Sequence, residues 1–484
     1  MVTKLLKLLK IALGLLVASA ITFLGVRAYD AQRGAPLESW HTFVPEELHA
    51  ADLDLADWAR YLEVEDALFE QVRAEVTQRL DAEDRVPANR YFSDSPIYPG
   101  RFAHDWNRSF VLEPDGPPVG VAVLLHGLTD SPFSQRHIAQ SYRAHGFLTI
   151  APRLPGHGTV PGGLTEVVWE DWAAATRLAV REAKRRAPAV PLHVVGFSNG
   201  GALAMKCALD AIDDPELPRA DRIILVSPMI GITELARFAG FAGLPAIFPA
   251  FAKAAWLAVI PEFNPFKYNS FPINGARQSS LLTRALQPRI ARYAREGLLK
   301  DLPPVLTFQS LTDFTVSTQA IVDALYAQLP DNGSELVLFD LNRHTQFGPL
   351  LRPNIDTLLA RLLPPAPRPF RTTIVTNAGT GSAQVVERIT PAGATEEEVR
   401  PLSLDYPDEV FSLSHVALPF PMTDGLYGMD PDPKDDFGIQ LGAMAVRGER
   451  GTLIVSLDAL IRMSSNPFFP YLLGRIEEKM TPSP

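Results

Sequence analysis

Ser198 stands at the centre of Gly196-Phe197-Ser198-Asn199-Gly200-Gly201, between an apolar run, Leu192 to Val195, and a helical pattern, Ala202 to Ile212. A serine hydroxyl attacks a carbonyl only when it is exposed, oriented and relieved of its proton in the transition state. A tight strand-to-helix turn supplies the exposure, and flanking glycines leave room where side chains would collide with backbone. The start of the next helix offers free N–H groups and a positive dipole end to a developing oxyanion. The chemistry these residues suit is acyl transfer through Ser198. A second segment fits it: His126-Gly127-Leu128-Thr129-Asp130-Ser131-Pro132 directly follows the apolar run Val119 to Leu125. There the N–H of Leu128 would share an oxyanion with the N–H of Asn199. His126, and His157 in Leu154-Pro155-Gly156-His157-Gly158, read as braces of their loops rather than as bases.

The elements around these motifs predict how they are positioned. Val119 to Leu125, Phe147 to Ala151, Leu192 to Val195, Arg222 to Val226 and Val305 to Phe308 are nearly continuous apolar runs, separated by helical patterns such as Trp172 to Arg186. Runs buried on both faces imply an α/β fold with a mostly parallel central sheet and helices on each side. Between Ile230 and Leu302 lies an insertion crowded with Phe238, Phe241, Phe248, Phe251, Trp256, Phe263 and Phe266. It is either a packed helical hairpin or a cap over the strand ends, where open α/β sheets bind ligands. Residues 31 to 95 form an acidic helical preface without evident chemistry. Leu363 to Pro369 reads as a turn, Thr372 to Thr376 and Val410 to Leu413 as strands, Asp424 to Asp436 as loop, and Asn466 to Met480 as a closing helix.

Composition narrows the function class. With 46% hydrophobic and 21% charged residues over 484 positions, the chain is that of a globular protein. Its net charge of −10 argues against a nucleic-acid ligand. One cysteine, Cys207, rules out an intrachain disulfide, and its place in a helical pattern suits a buried inert thiol. No His-x-x-x-His pair and no phosphate-cradling lysine loop occurs, so neither a metal nor a cofactor is expected. Lys4, Lys7 and Lys10 precede an uncharged run, Ile11 to Val26. Ala18-Ser19-Ala20 offers a cleavage site, but the apolar stretch continues past it and favours a retained anchor over a cleaved signal. The lysines would hold that end in the cytoplasm and leave the remainder exported.

HGLTDSP, RLPGHG and GFSNGG, in this order and spacing, resemble the monoacylglycerol-lipase and carboxylesterase branch of the α/β-hydrolase superfamily over residues 110 to 350. The resemblance implies that fold, a Ser-Asp-His triad, oxyanion donors at Leu128 and Asn199, and a cap after the sixth strand. The acid should then follow the next-to-last core strand, Pro304 to Gln309, which selects Asp313 ahead of Asp301, Asp331 and Asp340. Two histidines compete for the base. His344 follows the strand Glu335 to Asp340 by four residues, as in simple members of that branch, and spacing alone selects it. His415 follows the strand-like Val410 to Leu413. The whole chain is also similar to a bacterial group of membrane-anchored hydrolases that shares Ser-Leu-Ser-His-Val-Ala-Leu-Pro-Phe-Pro, residues 412 to 421 here. That resemblance selects His415 and makes residues 345 to 410 an insertion ahead of it.

The expected layout is an anchor at 1–29, a preface at 30–95, a hydrolase core at 96–363 with its cap at 231–302, and a C-terminal extension at 364–484 that completes the hydrolase domain. The expected function is a serine esterase acting on a small-molecule, lipid-like ester such as a monoacylglycerol or lysophospholipid. It would be held by its N-terminus at the periplasmic face of a bacterial inner membrane. Two other readings stand beside it: an aminopeptidase or amidase of the same fold, and a catalytically silent membrane-tethered binding protein. The oligomeric state is open.

Overall fold

The computed structural model describes residues 2–33, 35–231, 249–344, 358–379, 381–444, 462 and 464–480. Phe238, Phe241 and Phe248 of the expected cap lie outside the described residues. The strands in chain order are β1 (Phe110–Leu112), β2 (Gly120–Leu125), β3 (Phe147–Ala151), β4 (Leu192–Phe197), β5 (Arg222–Val226), β6 (Trp256–Ala258), β7 (Phe271–Pro272), β8 (Val305–Ser310), β9 (Glu335–Phe339), β10 (Arg371–Asn377), β11 (Gln384–Thr390) and β12 (Glu398–Asp405). All but β6 and β7, which pair with each other, join one sheet in the order β1-β3-β2-β4-β5-β8-β9-β10-β11-β12. From β3 to β10 neighbouring strands run parallel; β1, β11 and β12 are antiparallel additions.

The central parallel strands are nearly continuous apolar runs, as in Val121 to Leu125 and Ile223 to Val226, because alternate residues serve two cores. Val121, Val123 and Leu125 of β2, with Leu192 and Val194 of β4 and Ile223 and Leu225 of β5, face one side. The helices Trp169–Arg186, Asn199–Asp213 and Ile273–Glu296 pack there. Ala122, Leu124, Val195, Phe197, Ile224 and Val226 face the other, against the helices Arg136–Ala144 and Phe469–Glu477. Side chains alternate across a strand, so a run buried on both faces needs no polar position.

Two features differ from the sequence expectations, and a third decides between alternatives. Val410 to Leu413 is irregular chain with a bend at Phe411 and Ser412, not strand; the pairing strands of this region are β11 and β12. They carry little strand signal, since β12 is an exposed edge with Glu398, Arg400 and Pro401, residue types that guard an edge against further pairing. The described part of the insertion is only partly helical, with the β6–β7 pair ahead of the long helix. The N-terminal preface is welded to the core: Trp58, Tyr61 and Leu53 belong to the cluster under β2 to β5. Ahead of it, Val2–Arg33 is one helix whose stretch Leu6–Val26, 21 residues of mean hydropathy 2.1, is long and apolar enough to cross a membrane.

Several histidines are packed away from water in their neutral form. Burial lowers His41 and His193 to about 4 and His157 to about 3. A histidine whose folded value lies below its unfolded one takes up protons preferentially on unfolding, so its stabilisation fades as pH falls through the window from 6.5 to about 4. Glu65 and Glu262, raised chiefly by burial, slope the opposite way. A single variant therefore isolates one contribution. The stability advantage of the unsubstituted protein over His41→Gln should shrink by about 1–2 kcal/mol between pH 7 and pH 5. Urea unfolding at the two pH values measures it, and a gap that stays constant or widens contradicts the assignment.

Candidate active site

Ser198 sits at the junction of β4 and the helix Asn199–Asp213, with φ 55° and ψ −117°. A non-glycine residue there is strained, and the fold must over-determine it. It does so through backbone: Ser198 N–H donates to Val226 O at 3.0 Å, and Ser198 O accepts from Met229 N–H at 2.9 Å. The glycines permit the crossing. A Cβ at Gly200 would overlap the carbonyl oxygen of Leu125, and one at Gly201 would come within 2.6 Å of Pro228 Cβ.

Asp313 lies in the loop after β8, where its Oδ1 accepts from the N–H groups of Thr315 at 2.7 Å and Val316 at 3.0 Å. Its Oδ2 lies 2.8 Å from His415 Nδ1, and His415 Nε2 lies 2.9 Å from Ser198 Oγ. With the Nδ1 proton directed at the carboxylate, Nε2 is left to accept from the serine hydroxyl, a tautomer assigned from the network. Burial alone would raise the Asp313 carboxyl, but the charge and hydrogen bond of His415 and the two backbone N–H groups hold it below the ordinary value. Phe197 stacks on the imidazole, centroids 5.4 Å apart. The arrangement can carry a proton from Ser198 to His415 and stabilise the resulting imidazolium.

His344 is elsewhere. Its Nε2 lies 3.8 Å from Asp408 and, among the described residues, it hydrogen-bonds to neither Ser198 nor Asp313. Asn342, two residues earlier, does what that segment contributes: its N–H donates to Phe411 O at 3.0 Å and its Nδ2 to Val410 O at 2.8 Å. Ser310 Oγ donates to Leu413 O at 2.8 Å. The ends of β8 and β9 thus hold the chain returning from β12 and aim His415 inward. Asp340 is taken by Arg343 and Thr376, and Asp301 and Asp331 are exposed.

Asn199 opens the helix, where the first N–H groups lack intrahelical acceptors. Leu128 follows Gly127, whose Cβ position would lie 3.2 Å from Ser198 Cβ, so that loop runs directly against the serine. His126 braces it. Leu154 N–H donates to His126 Nε2 at 3.0 Å, which leaves Nδ1 to donate to Gly127 O at 2.9 Å. Behind Leu154 stands a buried network that the sequence did not reveal. Arg153 reaches Glu47 with two nitrogens at 2.7 and 2.9 Å and Glu65 at 3.2 Å, and Glu47 also accepts from Gly156 N–H. Both glutamates come from the preface, 106 and 88 residues from Arg153, so no local spacing could have paired them. Cys207 is buried, and burial pushes its thiol up to about 12. Among the described residues no group of three or more His, Cys, Asp or Glu is arranged to hold a metal.

Residues 116–345, just under half the chain, match the family Hydrolase_4, described as serine aminopeptidase, S33. A thermostable monoacylglycerol lipase of Bacillus sp. (strain H-257) is 36% identical over 91 residues, 19% of this chain and 35% of that one. A monoacylglycerol lipase of Mycolicibacterium smegmatis is 34% identical over 99 residues, 19% of this chain and 34% of that one. The matched stretches thus span about a third of these relatives' length. Among solved structures, one from work on LipS and LipT, two metagenome-derived lipolytic enzymes, covers 53% of this chain and 97% of its own at 20% identity and TM-score 0.38.

The packing at the serine turn makes a prediction of its own. Gly200→Ala puts a methyl group into the backbone of Leu125 and His126, neither of which can swing aside. It should cost about 3 kcal/mol or more, the range of overpacking combined with strain. A melting temperature within about 1 °C of the unsubstituted protein would show that the turn is not closed as described.

Proposed function

From the premise that this chain is an α/β hydrolase similar to monoacylglycerol lipases and esterases, we propose that it hydrolyses carboxylic esters through an acyl-enzyme on Ser198. Ser198 Oγ attacks the ester carbonyl while its proton passes to His415 Nε2, and Asp313 orients the imidazolium and offsets its charge. The N–H groups of Leu128 and Asn199 hold the oxyanion. His415 then protonates the departing alkoxide, and water activated by the same imidazole releases the acid and restores Ser198. The observation that carries this reading is the imidazole within hydrogen-bond reach of both partners, 2.9 Å and 2.8 Å away.

The substrate is an ester with an apolar acyl chain. Beside the triad a cavity of about 370 Å³ is lined by Phe197 and Val416, the neighbours of Ser198 and His415, and by Phe263, Tyr268, Phe420 and Tyr427. The N-terminal apolar helix serves as a membrane anchor with its lysines on the cytoplasmic side, which holds the hydrolase domain at the outer face near lipid.

Three measurements test this. A fluorophosphonate probe should label the protein and fail to label Ser198→Ala. Ester hydrolysis should fall by about 10³-fold or more in His415→Ala and by less than about threefold in His344→Gln. Labelling that survives in Ser198→Ala, or an equal loss in both histidine variants, overturns the mechanism. With p-nitrophenyl esters of rising chain length, kcat/KM should climb beyond acetate. A sharp preference for acetate excludes the lipid-like acyl group, and faster turnover of aminoacyl amides than of any ester would favour the peptidase reading.

A further inference from the structure

The aromatic wall of the cavity is interrupted by charge of one dominant sign. Lys267 and Arg462 line it, with Asp130 as the one carboxylate among its lining residues. Asp130 is buried and committed to the oxyanion loop, where its Oδ2 accepts from Gly127 N–H at 3.3 Å. Among the described residues no carboxylate comes within 4.0 Å of Lys267 Nζ, although its burial and the neighbouring Arg462 disfavour the ammonium and only Asp130 supports it. A half-buried lysine whose one supporting carboxylate stays beyond ion-pair distance is costly unless something else adds counter-charge. Arg462 reaches across from the other side: its Nη2 donates to Thr315 Oγ1 at 3.0 Å, two residues beyond Asp313. The cavity thus touches the oxyanion loop at Asp130, the serine turn at Phe197, the His415 loop at Val416 and the acid loop through Arg462. A substrate group lodged there sits one residue from Ser198 and one residue from His415.

We propose that Lys267 and Arg462 form an anion-binding subsite, and that the ester hydrolysed here carries a phosphate or carboxylate group alongside its apolar chain. This rests on the reading of Ser198 as an ester-cleaving nucleophile. An ammonium and a guanidinium facing one cavity match a phosphate or carboxylate oxygen cluster, with Arg supplying paired donors and Lys a point charge. The aromatic residues around them cover the carbon skeleton. The same two cations argue against a peptide's free amine as the group bound, since it would meet like charge.

Two substrate pairs of matched chain separate the sources of the anion. One is a monoacylglycerol against its 3-phosphate, which puts the charge on the leaving alcohol. The other is p-nitrophenyl pentanoate against p-nitrophenyl hemiglutarate, which puts a carboxylate on the acyl part. In at least one pair, the full-length protein should favour the anionic member in kcat/KM. That ratio should fall about tenfold or more in Lys267→Met and in Arg462→Gln, mainly through KM, and return in Lys267→Arg. Binding is read independently in Ser198→Ala, where 1-O-dodecylglycerol 3-phosphate, a non-cleavable ether, should bind more tightly than 1-O-dodecylglycerol. Raising the salt concentration should narrow that difference. Ratios unmoved by either substitution, or equal binding of the two ethers, overturn the subsite while leaving the esterase reading intact. Loss of fluorophosphonate labelling with ether discrimination retained would instead overturn the esterase reading and leave an anion-binding pocket.

Discussion

His415 can stand 2.9 Å from Ser198 and 2.8 Å from Asp313 only because a segment 217 residues past one and 102 past the other is brought back to the same point. Everything else in the site is local to a strand end: the Ser198 turn after β4, the His126–Pro132 loop after β2, the Asp313 loop after β8. The histidine alone arrives by a long route, through β10, β11 and β12. Closing so long a loop is entropically modest per added residue, growing only with the logarithm of its length. What must be specific is the landing. Asn342 and Ser310 provide it by taking the carbonyls of Val410, Phe411 and Leu413, which a one-residue slip would misplace.

The opposite side of the site is held with the same economy of means. The loop after β2 leans on His126, His126 on the Leu154 segment, and Arg153 of that segment on Glu47 and Glu65. Burial disfavours the Arg153 charge, but the two glutamates, with Tyr61 beside them, more than offset it and hold the guanidinium charged. Removing one partner from such a buried set costs far more than the set contributes as a whole, because it strands a charge. The preface is thus coupled to the loop after β2 through hydrogen bonds at Arg153, Leu154 and His126, and is not merely a spacer between the N-terminal helix and the core.

How far these arrangements were legible in the sequence follows from the range of the interactions. The parallel strands were, because burial on both faces forces a continuous apolar run that any window reveals, as in Val121 to Leu125. The serine turn was, because its glycines and flanking elements are contiguous. Spacing alone selected His344, whereas His415 is the one within reach of Ser198 and Asp313, because β10, β11 and β12 intervene and the last carries Glu398, Arg400 and Pro401 at an exposed edge. Only the resemblance of residues 412 to 421 to the anchored hydrolases pointed to His415. The Glu47–Arg153–Glu65 set lay beyond reach for a different reason, as charged residues give no periodic signal and their pairing is decided by tertiary contact alone.

The strained serine ties these observations together. A side chain at φ 55° persists only where neighbouring backbone leaves it no alternative. Here that backbone comes from two segments: after β5, Val226 and Met229 hold the residue itself and Pro228 closes on Gly201, and after β2, Leu125 and His126 press on Gly200. The loop after β2 is therefore also one that fixes the conformation of Ser198, so displacing it would relax the serine as well. Geometry at the nucleophile and stability of the surrounding loops are then one property. The Arg153 network and the Asn342 clamp act on that property from opposite sides, each at a distance from any substrate.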